Sequence, residues 1–359
     1  MSRELRKFSC FSLYFLTVFF ILYSDIEKMV KNCKTIEDKL QCAVNEIGLS
    51  FKSYINLKSI VDCLEKIIQK SELKQFKPEL FMFGSIASGL GTYDSDIDLY
   101  IKFTNVDDIV AEDFFTAILL LNNLLLILYR DLGVAEFGDC LIFSQRCPIL
   151  KLPFNKCFPN LQKRFKDIKE YDRKLNKYKP KNNNERSKTN HEVEMHSNNS
   201  KVNAEVETSD TENIKNIGGE ENIMKKVIGT SFNTCDISLK NMFGVYNSQF
   251  IRFLTEYDRR FYEVALLIKF WAKEQNIIGS RKITSYGMTM LVIFFLQSQN
   301  PPVLPPIKKF LELAKDQKKE EIILQGYHFE FCDDIKMIGK SQNTMSTSEL
   351  LCEFFRYVF

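Results

Sequence analysis

Two aspartates on one predicted strand are the residues of this chain best suited to chemistry. Asp96 and Asp98 alternate with Ile97, Leu99 and Ile101. Successive side chains of a strand point to opposite faces, so the two carboxylates project together while the apolar residues face a core. Neighbouring carboxylates repel each other unless a cation lies between them. Magnesium, a hard ion that favours oxygen ligands, is the expected cation, with manganese as the alternative.

A Gly-Ser pair, Gly84 and Ser85, lies shortly before these aspartates. It follows a short apolar strand that begins at Phe81 and opens a brief predicted helix. Gly84 lets the backbone approach a ligand closely, and free N–H groups at a helix start attract phosphate. An Asp-x-Asp alone is more often a solvated strand end, but the preceding Gly-Ser turn makes the joint pattern much more specific. The pattern predicts a metal-dependent nucleotidyltransferase that binds a nucleoside triphosphate.

A third carboxylate, Asp236, lies on a later predicted strand from Ser231 to Ser238. It is on the face opposite Cys235 and Ile237. A lone aspartate at a strand end is usually a cap or solvated. If this strand pairs beside the first two aspartates, three carboxylates converge and suffice to hold two metal ions. Such sites clamp the attacking and the leaving oxygen of an in-line phosphoryl displacement.

Two later helices offer nucleotide contacts. Lys269 and Lys273 are four residues apart on one helix face, where an anion between them would be attracted; a solvated face is the alternative. Another helix begins near Ser285, with Thr284 or Ser285 as its N-cap. Tyr286 is then a candidate platform on which a base stacks.

The remaining elements form the scaffold that must position these residues. Leading helices are predicted from Thr35 and over 60–68, and 106–130 is so apolar that we expect a buried helix covering the sheet. Short strands are predicted at 135–137 and 146–152, and everything from Asn241 onward is predicted to be helical. Residues 160–226 are rich in lysine, asparagine, glutamate and serine, which predicts a disordered insertion. Its basic first half either contacts RNA backbone or is merely solvated.

Composition limits the class of protein. The chain has 359 residues, enough for two domains, and 49 basic against 46 acidic residues leave no global polycation. Ten scattered cysteines predict reduced thiols, no zinc site and no disulfide-linked partner, and three histidines make histidine base catalysis unattractive.

The N-terminus leaves the compartment open. An apolar run from Phe8 to Tyr23 follows three basic residues, like a signal-peptide core, but it lacks a small-x-small cleavage site. It is also shorter than the roughly 20 residues of a spanning helix. It is a leader packed on the body, an inaccurate start of the reading frame, or a membrane or export signal. We expect the cytoplasm, with nucleus, mitochondrion and membrane association left open.

Together these segments resemble the RNA terminal nucleotidyltransferases of the cytoplasmic poly(A) and poly(U) polymerase type, within the DNA polymerase β-like superfamily. The superfamily signature is Gly-Ser followed by Asp-x-Asp. The segments that carry the closer resemblance are 235–238, 246–247, 268–273, 284–286, 301–305, 342–351 and 354–357.

The resemblance implies an α+β fold in which a small mixed-sheet catalytic domain joins a helical PAP-associated, substrate-binding domain. The expected boundaries are a leader at 1–30, the catalytic domain at 31–159 and 227–240, the insertion at 160–226 and the helical domain at 241–359. Family members usually continue with a loop that discriminates uracil from adenine. We therefore expect the helical domain to be truncated at Phe359.

The resemblance also implies roles on the catalytic side of the cleft. Asp96, Asp98 and Asp236 would bind two magnesium ions, and Asp236 would help to activate the RNA 3′-hydroxyl. Gly84 and Ser85 would hold the triphosphate.

Further roles fall on the helical side. Lys269 and Lys273 would neutralise the β- and γ-phosphates, and Asn247 would contact the ribose 2′-hydroxyl. Tyr286 would stack on the base, with Ser285 nearby.

The function implied is template-independent addition of UMP or AMP, from UTP or ATP, to an RNA 3′ end, with release of pyrophosphate. Partner proteins are expected to deliver the RNA, because the sequence shows no separate RNA-binding module. Two alternatives stay open: a catalytically inactive RNA-binding or scaffold relative, and a nucleotidyltransferase that acts on a small molecule or makes 2′-5′ oligoadenylate.

Overall fold

The structure is a computed structural model. It describes residues 22, 24, 26, 33–92, 94–105, 113–132, 141–142, 148–153, 234–239, 241–279, 281–317, 321–324 and 326–358, and structural statements refer to these. The described residues belong to one compact unit made of 1–165 and 231–359. The predicted strand at 135–137, the predicted insertion at 160–226 and most of the N-terminal apolar run lie outside the described residues.

Within the part of the chain that the structure describes, seven strands form two sheets. Their bounds are β1 Pro78–Phe83, β2 Ile97–Phe103, β3 Leu141–Ile142, β4 Ile149–Pro153, β5 Thr234–Ser238, β6 Ile323–Leu324 and β7 Tyr327–His328. The larger sheet has the order β1-β2-β5-β4-β3. β2 and β5 run parallel, whereas β1 with β2, β4 with β5, and β3 with β4 are antiparallel. The sheet is therefore mixed, as the sequence predicts.

In the described ranges, ten α-helices with defined bounds surround the sheet and continue beyond it. Their bounds are α1 Ile36–Ile47, α2 Phe51–Gln69, α3 Gly84–Ala87, α4 Phe114–Leu132, α5 Met242–Tyr257, α6 Arg259–Glu274, α7 Ser285–Gln297, α8 Ile307–Asp316, α9 Ile335–Ile338 and α10 Thr347–Val358.

The predicted leading helices are confirmed, and their ends have local causes. Thr35 caps α1 through a capping box, in which its side chain accepts from the Asp38 N–H and the Asp38 carboxylate accepts from the Thr35 N–H. Ser50 caps α2 by accepting from the Ser53 N–H. α2 then packs against β1, which leads into the Gly-Ser turn.

The helix predicted over 106–130 is observed as α4, but it is only partly buried. Leu121, Leu124 and Leu128 face the core, whereas Phe115 and Leu119 are 79% and 61% exposed. A helix buries only the stripe that meets its neighbours, here α2 and β4, and apolar composition does not reveal that stripe's width. By length and composition α4 could also cross a membrane, a test that core helices of soluble proteins pass as well.

The C-terminal half is helical apart from one hairpin, so the prediction that everything after Asn241 is helical was wrong at 323–328. β6 and β7 pair there through a short turn that the sequence pattern does not show. Phe243 and Tyr246 of α5 stack on Phe329, which follows the hairpin. The hairpin therefore joins the helical core through aromatic contacts.

Helices α5, α6, α7 and α10 pack around a common core. Phe261, Phe295 and Phe354 are essentially unexposed within it. Leu22 and Ile26, the described residues near the N-terminus, are buried in the same cluster. The core holds α5 and α6 rigidly, and these two helices carry the residues that face the Gly-Ser turn and the loop after it.

Candidate active site

Gly84 occupies a position that only glycine tolerates. Its φ of +73° lies in the left-handed region, and a Cβ there would lie 2.1 Å from Asp98 Oδ2. The turn thus brings the backbone against Asp98; the predicted close approach of a ligand stays a prediction. The Gly84 N–H is not free for phosphate, however, because it donates to Ser248 Oγ at 2.8 Å.

The sheet brings the third carboxylate beside the first two. In the parallel pair of β2 and β5, Asp98 lies directly opposite Asp236. Asp96 is oriented by Thr234 of β5, whose Oγ1 donates to Asp96 Oδ1 at 3.0 Å. The strand pairing on which the predicted convergence of the three carboxylates depends is therefore present at this edge of the sheet.

The carboxylates repel one another in the absence of a cation. Burial, and then the charges of Asp236 and Asp96, raise the pKa of Asp98 to about 7, against an opposing contribution from Lys151. Asp98 thus holds its proton more tightly than an ordinary aspartate. Such a cluster favours any bound cation that neutralises it.

Lys151 is a site residue that the sequence reasoning missed. It lies on β4 opposite Asp236, and its Nζ donates to Asp236 Oδ2 at 3.1 Å. The other oxygen, Asp236 Oδ1, is buried and has no hydrogen-bond partner. One Asp236 oxygen is thus neutralised by the protein, and the other is left for a ligand.

A cleft of about 750 Å³ opens over this edge of the sheet. Eight of the ten predicted site residues line it: Gly84, Ser85, Asp96, Asp98, Lys269, Lys273, Ser285 and Tyr286. Asp236 reaches the site through its pairing with Asp98 rather than through the cleft lining. The described residues that line the cleft include Ser248 but not its neighbour Asn247.

The two predicted phosphate-binding lysines lie in different environments. Lys269 is only 8% exposed, and its Nζ donates to the Leu90 carbonyl oxygen at 2.7 Å. Burial lowers its pKa to about 8, against a raising contribution from Asp94. Lys273 is half exposed and forms an ion pair with Asp94. Lys269 therefore has a neutral carbonyl as its partner, whereas the charge of Lys273 is paired with a carboxylate.

The start of α7 supplies the predicted base platform. Thr284 is the N-cap, and its Oγ1 accepts from the Gly287 N–H at 3.0 Å. The Tyr286 ring stands 49% exposed in the cleft. A half-exposed aromatic ring in the same cleft as Lys269 and Lys273 is suited to stacking on a nucleobase.

The residues present fit a divalent metal without forming a closed cage. Among the described ranges, no group of three or more His, Cys, Asp or Glu side chains forms a ready metal cluster. Three observations still favour a metal: an all-carboxylate donor set, the free Asp236 Oδ1, and the close approach of Gly84 to Asp98. Asp96, Asp98 and Asp236 would hold it.

Comparison with known proteins agrees with this geometry. The family described as the central palm domain of mitochondrial-like poly(A) RNA polymerase matches residues 36–158. A speckle targeted PIP5K1A-regulated poly(A) polymerase from Xenopus tropicalis is 31% identical over 127 residues, which span 34% of this chain and 15% of that protein. Protein HESO1 from Arabidopsis thaliana is 37% identical over 142 residues, which span 37% of this chain and 28% of the relative.

A solved structure extends the likeness along the chain. A cytoplasmic RNA terminal U-transferase superposes with a TM-score of 0.54 at 24% identity, covering 89% of this chain and 70% of that one. This likeness shows a shared fold. The matched segments of the sequence relatives are a minor part of those proteins' lengths, between 15% and 28% in the two relatives above.

Proposed function

Because the chain carries a nucleotidyltransferase domain of the poly(A) polymerase and terminal uridylyltransferase type, we propose that it adds ribonucleotides to RNA 3′ ends without a template. The observation that carries the proposal is the lateral pairing of Asp98 with Asp236 beside the Gly84 turn, at one edge of a cleft that also holds two lysines. The substrates would be UTP or ATP and an RNA 3′ end.

In this reaction the RNA 3′-hydroxyl oxygen attacks the α-phosphorus of the nucleotide and pyrophosphate leaves. Bound magnesium or manganese would polarise the phosphoryl oxygens and neutralise charge at the attacking and leaving oxygens. Asp96, Asp98 and Asp236 would hold the metal, and Asp236 would also help to take up the hydroxyl proton. Lys151 would fix the Asp236 side chain through Oδ2 and so leave Oδ1 for this role.

The helical side of the cleft would position the nucleotide. Lys269 and Lys273 would compensate the β- and γ-phosphates, and Ser85 would contact the triphosphate from the turn. Tyr286 would stack on the base with Ser285 beside it. Asn247 is retained for the ribose 2′-hydroxyl, although Ser248 is the residue of this helical turn that lines the cleft.

The nucleotide and the compartment are finer points of the proposal. The relatives named above include a poly(A) polymerase and a terminal U-transferase, so both AMP and UMP addition have support. Their names refer to speckles, mitochondria and the cytoplasm. We retain the cytoplasm as the proposed compartment and partner proteins as the proposed means of RNA delivery.

The test is an extension assay. A 5′-labelled RNA oligomer is incubated with the purified chain, Mg²⁺ and each ribonucleoside triphosphate in turn, with Asp98→Ala in parallel. A ladder with UTP or ATP that is absent from the variant supports the proposal and names the base. A ladder that persists in Asp98→Ala refutes the metal assignment.

No ladder from folded, monodisperse protein would instead favour the inactive RNA-binding or scaffold alternative. Products that resist a nuclease specific for 3′-5′ linkages would favour the 2′-5′ oligoadenylate alternative. A transferase that acts on a small molecule would also give no RNA ladder, and pyrophosphate release with a small-molecule acceptor would separate it from the inactive alternative.

A further inference from the structure

The chain itself supplies an anion to one of the two cleft lysines. Lys273 Nζ donates to Asp94 Oδ2, and Asp94 Oδ1 accepts from Thr92 Oγ1 at 2.5 Å. The two charged side chains line the cleft and are 57% and 45% exposed. A cation expected to bind triphosphate therefore already has a carboxylate partner.

The loop that carries Asp94 is attached to α6 at two points. Lys269 donates to the Leu90 carbonyl oxygen near the loop's start, and Lys273 binds Asp94 near its end. The two lysines have partners of different charge. The Leu90 carbonyl is neutral and leaves the positive charge of Lys269 available to a ligand, whereas the Asp94 carboxylate cancels the charge of Lys273. Lys273 is therefore the cation whose availability depends on a displaceable contact.

The position of Asp94 is unfavourable for a polyanion. It lines the same cleft as Asp96 and Asp98, which a metal ion can neutralise, but its own partner is Lys273. Half-exposed ion pairs between lysine and carboxylate are weak, because water competes for both partners. A triphosphate with several charges can therefore displace Asp94 from Lys273.

We propose that Asp94 is the resident counter-ion of Lys273 and that the triphosphate of the incoming nucleotide replaces it. This inference rests on the proposed function, because it takes the cleft to be the triphosphate site. Asp94 thereby lowers the affinity of the cleft for triphosphates, and it holds Lys273 over the loop until one binds.

Binding of inorganic triphosphate tests the inference without requiring catalysis. The Kd for inorganic triphosphate with Mg²⁺ is measured by titration calorimetry on the full chain and on Asp94→Asn. The variant keeps the shape of the side chain and removes its charge, so we expect a Kd about three- to tenfold lower. The matched control, Asp131→Asn, makes the same charge change on α4 outside the cleft, and its Kd should equal that of wild type.

A double-variant cycle locates the effect at Lys273. Lys273→Ala should raise the Kd, and Asp94→Asn should gain less affinity in that background than in wild type. If wild type binds triphosphate and Asp94→Asn binds it equally or more weakly, the inference is overturned and the proposed function still stands. Folded wild type that binds no triphosphate would overturn both.

Discussion

Replacing Asp98 by asparagine is expected to stabilise the metal-free protein while it abolishes RNA extension. The pKa of Asp98 is raised from an ordinary 3.8 to about 7, by burial and then by the carboxylates of Asp236 and Asp96. Each tenfold change in the acid dissociation constant corresponds to about 1.4 kcal/mol. Ionisation of Asp98 therefore costs about 4 kcal/mol more in the folded protein than in the unfolded chain. Asparagine keeps the shape and carries no charge, so we expect a gain of about 2–4 kcal/mol at pH 8.

The sign of the pH dependence follows from the raised pKa. The folded protein holds the proton of this carboxyl more tightly than the unfolded chain does. The free energy of unfolding therefore falls progressively as pH rises from about 4 to about 7. The advantage of Asp98→Asn should therefore be complete at pH 8 and fall to less than half at pH 5. Saturating Mg²⁺ should stabilise wild type and reduce or reverse the difference, because a cation removes the repulsion.

Urea unfolding in EDTA measures this difference. Wild type, Asp98→Asn and the control Asp62→Asn, at an exposed position of α2, are compared at pH 5 and pH 8, and the control should stay within about 0.5 kcal/mol of wild type. RNA extension is assayed on the same preparations. An Asp98→Asn protein that is less stable than wild type in EDTA at pH 8 would refute the assigned repulsion.

Two further predictions concern residues that line the cleft, and a third concerns Arg260, which holds the segment before α10. Ser248→Ala leaves the Gly84 N–H without its acceptor. It should therefore lower the free energy of unfolding by about 1–2 kcal/mol and raise the KM for the nucleotide. An unchanged free energy in urea unfolding and an unchanged KM would contradict this. Because burial lowers the pKa of Lys269 to about 8, kcat/KM should fall as pH rises above 8, whereas Lys269→Gln should show a flat profile there. A wild-type profile that stays flat to pH 9.5 would exclude Lys269 as a phosphate cation. Arg260 donates to the carbonyl oxygens of Asn343 and Met345. Arg260→Ala should therefore lower the melting temperature and reduce the free energy of unfolding by about 2–4 kcal/mol, with Arg260→Lys intermediate. Equal melting temperatures of wild type and both variants would contradict this role.

The local features of the site could be predicted from the sequence because they depend on neighbouring residues. Alternation predicts Asp96 and Asp98 on one face; Asp98 lies on β2, and Asp96 directly precedes the strand. The position of Gly84 requires a residue without a side chain. The pairing of Asp98 with Asp236 was a conditional prediction, since strand neighbours far apart in sequence leave no local pattern. The parallel register of β2 and β5 meets that condition.

The contacts that complete the site could not be predicted, because they join distant segments. The bond from Lys151 to Asp236 spans 85 residues, and the one from Gly84 to Ser248 spans 164. Each depends on which strands and helices become neighbours, which spacing alone does not encode. The same limit explains why the burial of α4 was predicted only in part. Its composition predicts a buried helix, but it does not show which face packs against α2 and β4.

Release of pyrophosphate from a defined RNA end tests the central claim most directly. The purified chain is supplied with Mg²⁺, each nucleoside triphosphate and either an RNA with a 3′-hydroxyl or the same RNA with a 3′-deoxy end. We predict pyrophosphate release with UTP or ATP that requires the 3′-hydroxyl and is lost in Asp98→Ala. Equal release from both RNAs, or none from folded wild type, would contradict transfer to the RNA 3′ end at this cleft.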